Sequence, residues 1–323
     1  MMLKTDSPMN IGILESGNYS TAALRTYGSL GPVFLLEMNP EARDNIVVLV
    51  VRLGHSLDAA FLSKFPKLRI IVTPTTGTDH IDHSYCSREK IEVISLKAIG
   101  RALDTVSSTA EHTLGLILAI TRQTVRSGMS VALDSRWERD RFRGRQLSNL
   151  TLGIVGFGRI GSMLFNFARP IFKEVVACDV DSSRFSPSTR TIQKSLEQLL
   201  SASDVIAITA SALDKAPAIG TKELSQMRDG VYLVNSARSS LIDEEAVVKF
   251  WNAGKIGGYA TDVLSGEPFG PAGPGQHPLR LLASERHNII ITPHIGGCTD
   301  EAMAFTEDRM AEAVVDILHG SST

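Results

Sequence analysis

One segment of the 323-residue chain combines an apolar strand, a glycine-rich loop and an apolar helix. The strand is predicted at 151–155, and it leads directly into Gly156-x-Gly158-x-x-Gly161, which is followed by a helical stretch over 163–168. A strand that turns this tightly into a helix is the first half of a βαβ unit, in which neighbouring strands are parallel. The segment therefore predicts an α/β fold for this part of the chain.

Short β-branched runs alternate with helical stretches along most of the chain, which is typical of parallel α/β sheets. The pattern forms two series, with predicted strands at 11–14, 33–36, 46–51, 69–72 and 92–94, and then at 151–155, 174–178, 204–208, 230–235, 257–261 and 288–292. A long helical segment over 105–133 separates the series and is interpreted as two helices or as a bridge between domains. A Gly/Pro-rich stretch between Leu264 and His287 predicts an irregular loop, and a last helix is predicted over 299–319.

Composition and charge exclude several classes of protein. Apolar residues make up 43% and charged residues 21% of the chain, as in a globular protein of about two domains. The net charge of −2 gives no basic surface for nucleic acid, and no apolar stretch resembles a signal peptide or a membrane span. Cys86, Cys178 and Cys298 are too widely spaced for a metal cluster or a disulfide framework. We therefore expect reduced thiols, no bound metal and a cytoplasmic location.

The glycine loop predicts a dinucleotide-binding site. Gly156 permits a tight turn, Gly158 lets a pyrophosphate approach the backbone, and Gly161 lets the helix pack closely on the strand. The N-terminus of the helix, at Arg159 and Ile160, offers N–H groups and the positive end of the helix dipole to the phosphates. Arg159 itself is interpreted either as a further phosphate contact or as a solvated surface residue.

Asp179 distinguishes between the two nicotinamide dinucleotides. It ends the next predicted strand, 18 residues after Gly161, where a carboxylate accepts hydrogen bonds from the adenosine ribose hydroxyls. Because this carboxylate repels a 2′-phosphate, we predict NAD rather than NADP as the cofactor. The alternative is a glycine-rich turn in another kind of α/β protein, such as a methyltransferase.

Three side chains match the needs of hydride transfer at a hydroxy or keto carbon. Such a reaction requires a group that anchors the substrate, an acid/base at the oxygen, and a partner that tunes the acid/base. Arg238, Glu267 and His294 each follow one of the last three predicted strands. These strand ends are where open α/β sheets build their binding sites.

Four stretches of the chain closely resemble the D-isomer-specific 2-hydroxyacid dehydrogenase family, namely 151–161, 234–243, 260–268 and 292–299. The ordered series Arg238, Glu267, His294 is highly specific to that family. The amino-acid sequence over 136–142 is most similar to the phosphoglycerate dehydrogenase branch of the family. The resemblance implies a Rossmann NAD-binding domain over 106–294. It also implies a flavodoxin-like substrate domain formed by 1–105 and 295–323, so that the chain crosses between the domains twice.

The resemblance also implies a role for each site residue. His294 would be the general acid/base, Glu267 would hydrogen-bond its imidazole and favour the charged form, and Arg238 would grip the substrate's carboxylate and carbonyl oxygen. The backbone of Thr76, Gly77 and Thr78 would donate to the substrate carboxylate, and His294 would contact both substrate and cofactor. Further implied cofactor contacts are Thr209, Ala210, Ala237 and Asp262.

Several of these residues also have a structural interpretation. Asp262 suits a strand-end cap as well as it suits a contact to the nicotinamide carboxamide, and Glu267 has the alternative of a solvated loop charge. Trp137 is expected either in the core or at a dimer interface, and Cys298 is expected to be a small buried residue. The histidines assigned to structural or surface roles are His80, His112 and His287.

Three departures from the family pattern bear on the substrate. Ser239 and Ser240 follow Arg238 where the family usually has glycine, and 208–211 lacks the usual His-x-Pro, so the nicotinamide contacts at Thr209 are in question. Thr73 stands where phosphoglycerate dehydrogenases tend to have an arginine for the phosphate. These departures argue against 3-phosphoglycerate as the substrate.

We therefore predict an NAD-dependent oxidoreductase that transfers a hydride between nicotinamide and a small D-2-hydroxy acid or 2-keto acid, or a phosphonate analogue. The alternative is an NAD-sensing binding protein of the corepressor type, which uses the same fold. The expected partners are the small-molecule substrate and a second copy of the chain, which would form a homodimer through the 106–150 region. Neither nucleic acid nor a membrane is expected as a partner.

Overall fold

The computed structural model describes residues 8–211, 218–267, 275–285 and 287–319. These residues form two compact units, one from residues 8–106 and 299–319 and the other from the described residues between 107 and 298. Residues 295–298, expected in the substrate domain, cluster with the second unit. Each unit has a parallel sheet of its own.

The first unit is built on a five-stranded parallel sheet in the order β2-β1-β3-β4-β5, which is the flavodoxin-like order. Its strands are β1 (Ile11–Ile13), β2 (Val33–Leu35), β3 (Val48–Val50), β4 (Ile70–Thr73) and β5 (Glu92–Ser95), and its helices include α1 (Thr21–Gly28), α2 (Ala59–Leu62) and α3 (His83–Arg88). β1, β3 and β4 are buried along their whole length, because helices cover both faces of a parallel sheet.

The second unit contains a six-stranded parallel sheet in the order β11-β10-β9-β8-β6-β7. The helices that connect and flank its strands are α4 (Ser108–Thr121), α5 (Thr124–Asp134), α6 (Arg159–Ala168), α7 (Leu196–Ala202), α8 (Thr221–Gln226), α9 (Glu244–Asn252) and α10 (Pro278–Ser284). The strands are β6 (Thr151–Val155), β7 (Glu174–Cys178), β8 (Val205–Ile208), β9 (Val231–Asn235), β10 (Ile256–Thr261) and β11 (Ile289–Ile291). The chain runs from β6 out to β7 and then back past β6 to β8, so the winding direction reverses beside the carboxyl end of β6. Doubly wound sheets bind ligands at this reversal.

The core of the second unit lies on both faces of its sheet. Along β6, Leu152 and Ile154 pack on one face against α4 and α6, whereas Val155 packs on the other face with residues of α7 and α9. This alternation follows from the two-residue period of a strand. The buried sheet fixes the strand ends, from which the glycine loop and the candidate catalytic side chains project.

All eleven predicted strands are present, each within two residues of its expected limits. The long segment 105–133 forms two helices, α4 and α5, and Gln123 between them adopts a left-handed backbone with a φ of 55°. The expectation of an irregular loop between Leu264 and His287 is wrong for α10, which starts with Pro278 in its first turn and is capped by the His277 side chain. The rest of that prediction falls partly on 268–274 and 286, outside the described residues.

The last helix, α11 (Asp300–His319), belongs to the first unit. Met310, Ala311 and Val314 on this helix lie in one hydrophobic cluster with Ala23 and Tyr27 of α1. Among the described residues, no helix combines the length and apolar character that crossing a membrane requires.

Candidate active site

The glycine loop is shaped by a close approach between the ends of β6 and β8. Gly156 adopts a φ of 97°, and a Cβ at this position would overlap the backbone of Ala210. Thr209 braces the same turn, since its N–H donates to Val155 O at 2.8 Å and its hydroxyl donates to Gly156 O at 2.8 Å. Thr209 and Ala210 therefore support the glycine loop, although the usual His-x-Pro motif is absent from this strand end.

The other two glycines of the loop serve different purposes. A Cβ on Gly161 would collide with the carbonyl oxygen of Gly156, so glycine is needed for helix α6 to pack this close to the turn. A Cβ on Gly158 would meet no described atom within 4 Å, so the loop presents open space there. Gly158 is also the N-cap of α6 without a side-chain cap, so the helix starts at Arg159 and Ile160 with its N-terminus available to an anion. A pyrophosphate fits this cradle.

Asp179 lies beside the glycine loop at the carboxyl end of β7. Its Oδ2 accepts a hydrogen bond from the Phe157 N–H at 2.7 Å, and its Oδ1 accepts one from the Asp181 N–H at 2.9 Å. The Phe157 side chain stacks on Phe185 in the core with a centroid distance of 4.7 Å. The loop and the acidic residue are therefore held together, as ribose and pyrophosphate of one dinucleotide require.

His294 and Glu267 form a hydrogen-bonded pair in the second unit. The Nδ1 atom of His294 lies 2.8 Å from Glu267 Oε1, and because a carboxylate only accepts, Nδ1 carries the proton. No described atom hydrogen-bonds the opposite ring nitrogen, Nε2. The side chains are 25% and 36% exposed, so the imidazole is oriented by the protein on one side and reachable on the other. Glu267 is therefore not a solitary solvated charge.

The backbone at His294 has an unusual conformation. Its φ is 55°, a left-handed value that few residues other than glycine adopt. The His294 N–H donates to Asp262 O and to Thr292 O, both at 3.0 Å. Such a conformation persists when surrounding contacts fix it, and it is often found at functional sites.

Asp262 supplies most of those contacts. It is 2% exposed, and its carboxylate accepts hydrogen bonds from Thr292 Oγ1 at 2.5 Å, Ile295 N at 2.9 Å and Gly296 N at 2.7 Å. His112 Nε2 lies 3.3 Å from the same carboxylate and 3.0 Å from Thr292 Oγ1. These contacts support the interpretation of Asp262 as a strand-end cap, and they give His112 a structural role behind the His294 loop.

The pKa of Asp262 reflects two opposing effects. Burial of the carboxyl group would raise its pKa, but the hydrogen bonds from His112, Thr292 and the backbone of Ile295 and Gly296 outweigh that effect and lower it below the usual value. Asp262 is therefore ionised at neutral pH, with the negative charge directed at the backbone of the His294 loop.

Arg238 follows β9 on a turn that a buried side chain holds in place. Asn235 donates from Nδ2 to Arg238 O at 2.9 Å and accepts from the Ala237 N–H at 3.1 Å. The guanidinium donates from Nη1 to Ala237 O at 2.7 Å and is partly exposed. Because β9, β10 and β11 are parallel neighbours, Arg238, Glu267 and His294 emerge at the same edge of the sheet.

In the first unit, Thr76, Gly77 and Thr78 form the loop that follows β4. Thr73 Oγ1 lies 2.8 Å from Thr75 Oγ1, which donates to Gly77 O at 2.7 Å. No described residue accepts a hydrogen bond from the N–H groups of Thr76, Gly77 and Thr78. Thr73 is completely buried and supports the loop from beneath. Three backbone donors are therefore available to an anion on this loop.

Comparison with known proteins assigns the chain to a family. Residues 114–296, more than half of the chain, match the family model of the D-isomer specific 2-hydroxyacid dehydrogenase NAD binding domain. The chain belongs to the D-isomer specific 2-hydroxyacid dehydrogenase family. The matched segment includes the glycine loop, Asp179, Arg238, Glu267 and His294. The second unit is thus the NAD-binding domain of that family.

Individual relatives agree with this assignment. D-3-phosphoglycerate dehydrogenase of Archaeoglobus fulgidus is 31% identical over 274 residues, which are 84% of this chain and 49% of that protein. The human D-3-phosphoglycerate dehydrogenase is 29% identical over 276 residues, with 85% and 49% covered. The chain thus spans about half the length of the curated relatives it matches. A crystal structure of D-lactate dehydrogenase from Aquifex aeolicus, complexed with NAD and lactic acid, is 26% identical, covers 96% of each chain and has a TM-score of 0.78.

Within the family's NAD-binding domain, sequence reasoning missed several supporting residues. Asn235 and Thr292 hold the backbone next to Arg238 and His294, and each lies at the end of a strand, where a polar side chain was a usable signal. The expectation that Cys298 is buried is wrong, because this thiol is exposed. Trp137 is 87% exposed, which excludes it from the core of the unit.

Proposed function

We propose that this chain is an NAD-dependent dehydrogenase that interconverts a small D-2-hydroxy acid, or a phosphonate analogue, and the corresponding keto compound, with His294 as the general acid/base. The hydrogen bond between His294 Nδ1 and Glu267 Oε1 carries this proposal. It fixes the ring so that Nε2, the nitrogen without a described partner, is directed away from Glu267. An oriented imidazole with one free nitrogen is what proton transfer at a substrate oxygen requires.

The chain's own residues divide the work of this reaction. His294 Nε2 gives a proton to the keto oxygen during reduction and takes it back from the hydroxyl during oxidation. Glu267 keeps the ring in place and stabilises its charged form by a charge-assisted hydrogen bond. Arg238 binds the planar carboxylate through its guanidinium. When NAD is bound, its nicotinamide supplies or accepts the hydride.

The cofactor would be held by the residues around the β6 turn. The open space at Gly158 and the uncapped start of α6 accommodate the pyrophosphate, and Asp179 receives the adenosine ribose hydroxyls. Arg159, Ile160, Thr209, Ala210, Ala237 and Asp262 remain proposed cofactor contacts. In the first unit, the free N–H groups of Thr76, Gly77 and Thr78 are the donors that we propose for a carboxylate.

Thr73 limits the substrate class. Relatives named for D-3-phosphoglycerate and a structure named for D-lactate differ in whether the substrate carries a phosphate. At position 73 this chain has a fully buried threonine whose hydroxyl lies beside that of Thr75, so it supplies no cation for a phosphate. We therefore favour 2-keto acids whose side chain is small and uncharged.

The proposed activity is tested by oxidation of NADH in the presence of a panel of acceptors. Pyruvate, glyoxylate and hydroxypyruvate represent small uncharged side chains, and 3-phosphohydroxypyruvate represents a phosphorylated one. We expect turnover with at least one of the first group, weaker turnover with the phosphorylated acid, and a preference for NADH over NADPH. Tight binding of NADH without turnover of any acid would contradict the proposed enzymatic activity and favour the alternative of an NAD-sensing binding protein of the corepressor type.

We also propose that the chain forms a homodimer through the 106–150 region. Val125, Met129 and Leu133 are exposed on α5 and lie four residues apart, so they form one apolar face of that helix. Trp137, just beyond α5, is almost completely exposed. An aligned apolar surface of this kind is typical of a protein interface.

The proposed dimer is tested by the mass of the protein in solution. We expect the wild-type chain to sediment as a dimer. Met129→Glu would place a charge in the face that the proposed dimer buries, so we expect this variant to shift towards monomer. Met38→Glu is the matched control, since Met38 is 76% exposed and lies in the first unit. A wild-type chain that is monomeric in sedimentation velocity runs at micromolar concentration would refute the proposal.

A further inference from the structure

A second cluster of polar side chains lies behind Glu267. Glu244, the first residue of α9, is only 9% exposed, and both of its carboxylate oxygens accept from the Ser265 N–H at 3.2 Å. The Ser265 hydroxyl donates to Glu244 Oε2 in a short hydrogen bond. The carboxylate therefore binds Ser265 through both its backbone and its side chain.

His277 completes this cluster from the start of α10. Its Nε2 lies 3.1 Å from Glu244 Oε2 and 3.2 Å from Ser265 Oγ. Its Nδ1 accepts a hydrogen bond from the Leu279 N–H at 3.2 Å, so the ring proton is on Nε2 and is directed at Glu244. The buried charge of Glu244 is thereby satisfied by two neighbouring segments and by the N-terminal end of α9.

Ser265 sits inside the tight turn that ends at Glu267. The Glu267 N–H donates to Leu264 O at 3.2 Å, and the Leu264 N–H lies 3.4 Å from Glu267 Oε2. Leu264 is buried in the core, and its two hydrogen bonds with Glu267 close the turn around Ser265. A displacement of Ser265 must therefore move the Glu267 carboxylate, and with it the partner of His294.

We propose that Glu244 is a positioning residue for the reaction: together with His277 it clamps Ser265, and through this turn it fixes Glu267 on the His294 imidazole. This inference rests on the proposed function, because it assigns Glu244 to the proton-transfer machinery. Among the described residues, no hydrogen bond or ion pair joins Glu244 or His277 to His294, so we expect the effect to pass through Glu267. This dependence on one intermediate residue can be measured.

The experiment is a double-mutant cycle between Glu244→Gln and Glu267→Gln. An amide at 244 accepts at one oxygen only, so the turn loosens, and we expect kcat to fall by about tenfold to a hundredfold while the Kd for NADH stays within about twofold. In the Glu267→Gln background, the same change should lower kcat by less than about twofold, because the route to His294 is already cut. Equal losses in the two backgrounds would overturn the proposal.

Two further variants separate positioning from damage to the fold. Glu245→Gln is the matched control, because Glu245 is an exposed carboxylate in the same helical turn, and it should leave kcat unchanged. Ser265→Ala removes one donor and leaves the backbone contact, so it should give an intermediate loss of kcat even where Glu244→Gln unfolds the protein. A kcat equal to the wild-type value in a folded Ser265→Ala variant would contradict the proposed clamp on Ser265.

A spectroscopic measurement keeps this inference distinct from the proposed function. The His294 Nδ1 proton that hydrogen-bonds Glu267 should give a downfield signal in proton NMR, assigned by its loss in His294→Gln. We expect Glu267→Gln to remove this signal and Glu244→Gln to weaken it by faster exchange with water. If no acid is turned over but the signal responds in this way, the activity fails and the clamp stands. If Glu244→Gln leaves the signal unchanged, the clamp fails whatever the activity.

Discussion

Replacement of His294 by glutamine is expected to reduce turnover of the best 2-keto acid by about 10²–10⁴-fold, the usual contribution of a general acid/base. Glutamine has a similar size and keeps a donor for Glu267 Oε1, but its amide does not ionise near neutral pH and therefore cannot act as a general acid/base. The affinity for NADH should change by less than about threefold, because in our proposal the glycine loop and Asp179 supply most of the cofactor contacts. Steady-state rates and a fluorescence titration with NADH measure the two quantities.

The left-handed backbone at His294 calls for a companion variant. In His294→Asn the side chain is too short to reach Glu267, but asparagine, like histidine, tolerates the positive φ at this position. If both variants melt near the wild-type temperature and both lose turnover, the loss comes from the missing imidazole. His287→Gln provides a control, since His287 forms an exposed pair with Glu285 and should be silent. Wild-type rates in His294→Gln would exclude proton transfer by this residue.

Local sequence patterns predicted a large part of the fold and pointed to the residues of the candidate site. The strand at 151–155, the glycine loop and Asp179 lie within 29 residues and obey a fixed spacing, so they could be found without knowledge of the tertiary structure. Arg238, Glu267 and His294 were found in the same way, as polar residues that follow successive strands. The helix α10 was missed because the surrounding glycines and prolines dominated the composition, although Pro278 and the apolar run after it are a helix start.

The contacts that hold these residues in place were beyond such patterns. His112 reaches Thr292 across 180 positions of sequence, and Glu244 meets His277 across 33. Neither pair shares a local period or a turn signal, and each forms because the fold brings a residue of one helix next to a residue that is distant in the sequence. Both pairs lie directly behind His294 or Glu267. The contacts that orient the candidate acid/base pair are therefore those that the tertiary structure reveals and local sequence patterns do not.

Two alanine substitutions in the glycine loop should have separable effects. Gly161→Ala places a methyl group against the carbonyl oxygen of Gly156, and because this nearest atom belongs to the backbone, it cannot swing away as the end of a flexible side chain could. We expect α6 to shift from the strand, at a cost of roughly 1–3 kcal/mol in the free energy of unfolding. Because the shift also moves the start of the helix, NADH binding should weaken by about tenfold or more.

Gly158→Ala is the informative partner, because its methyl group would meet no described atom of the protein. The free energy of unfolding should stay within about 1 kcal/mol of the wild-type value, the range expected for a change at a helix N-cap. Binding of NADH should nevertheless weaken by about tenfold or more, since the methyl group occupies the space that we assign to the pyrophosphate. Urea denaturation and titration with NADH measure the two effects independently. If Gly158→Ala binds NADH as the wild type does, the pyrophosphate does not lie against this glycine, and the assignment of the cradle is wrong even though Gly161→Ala destabilises the fold.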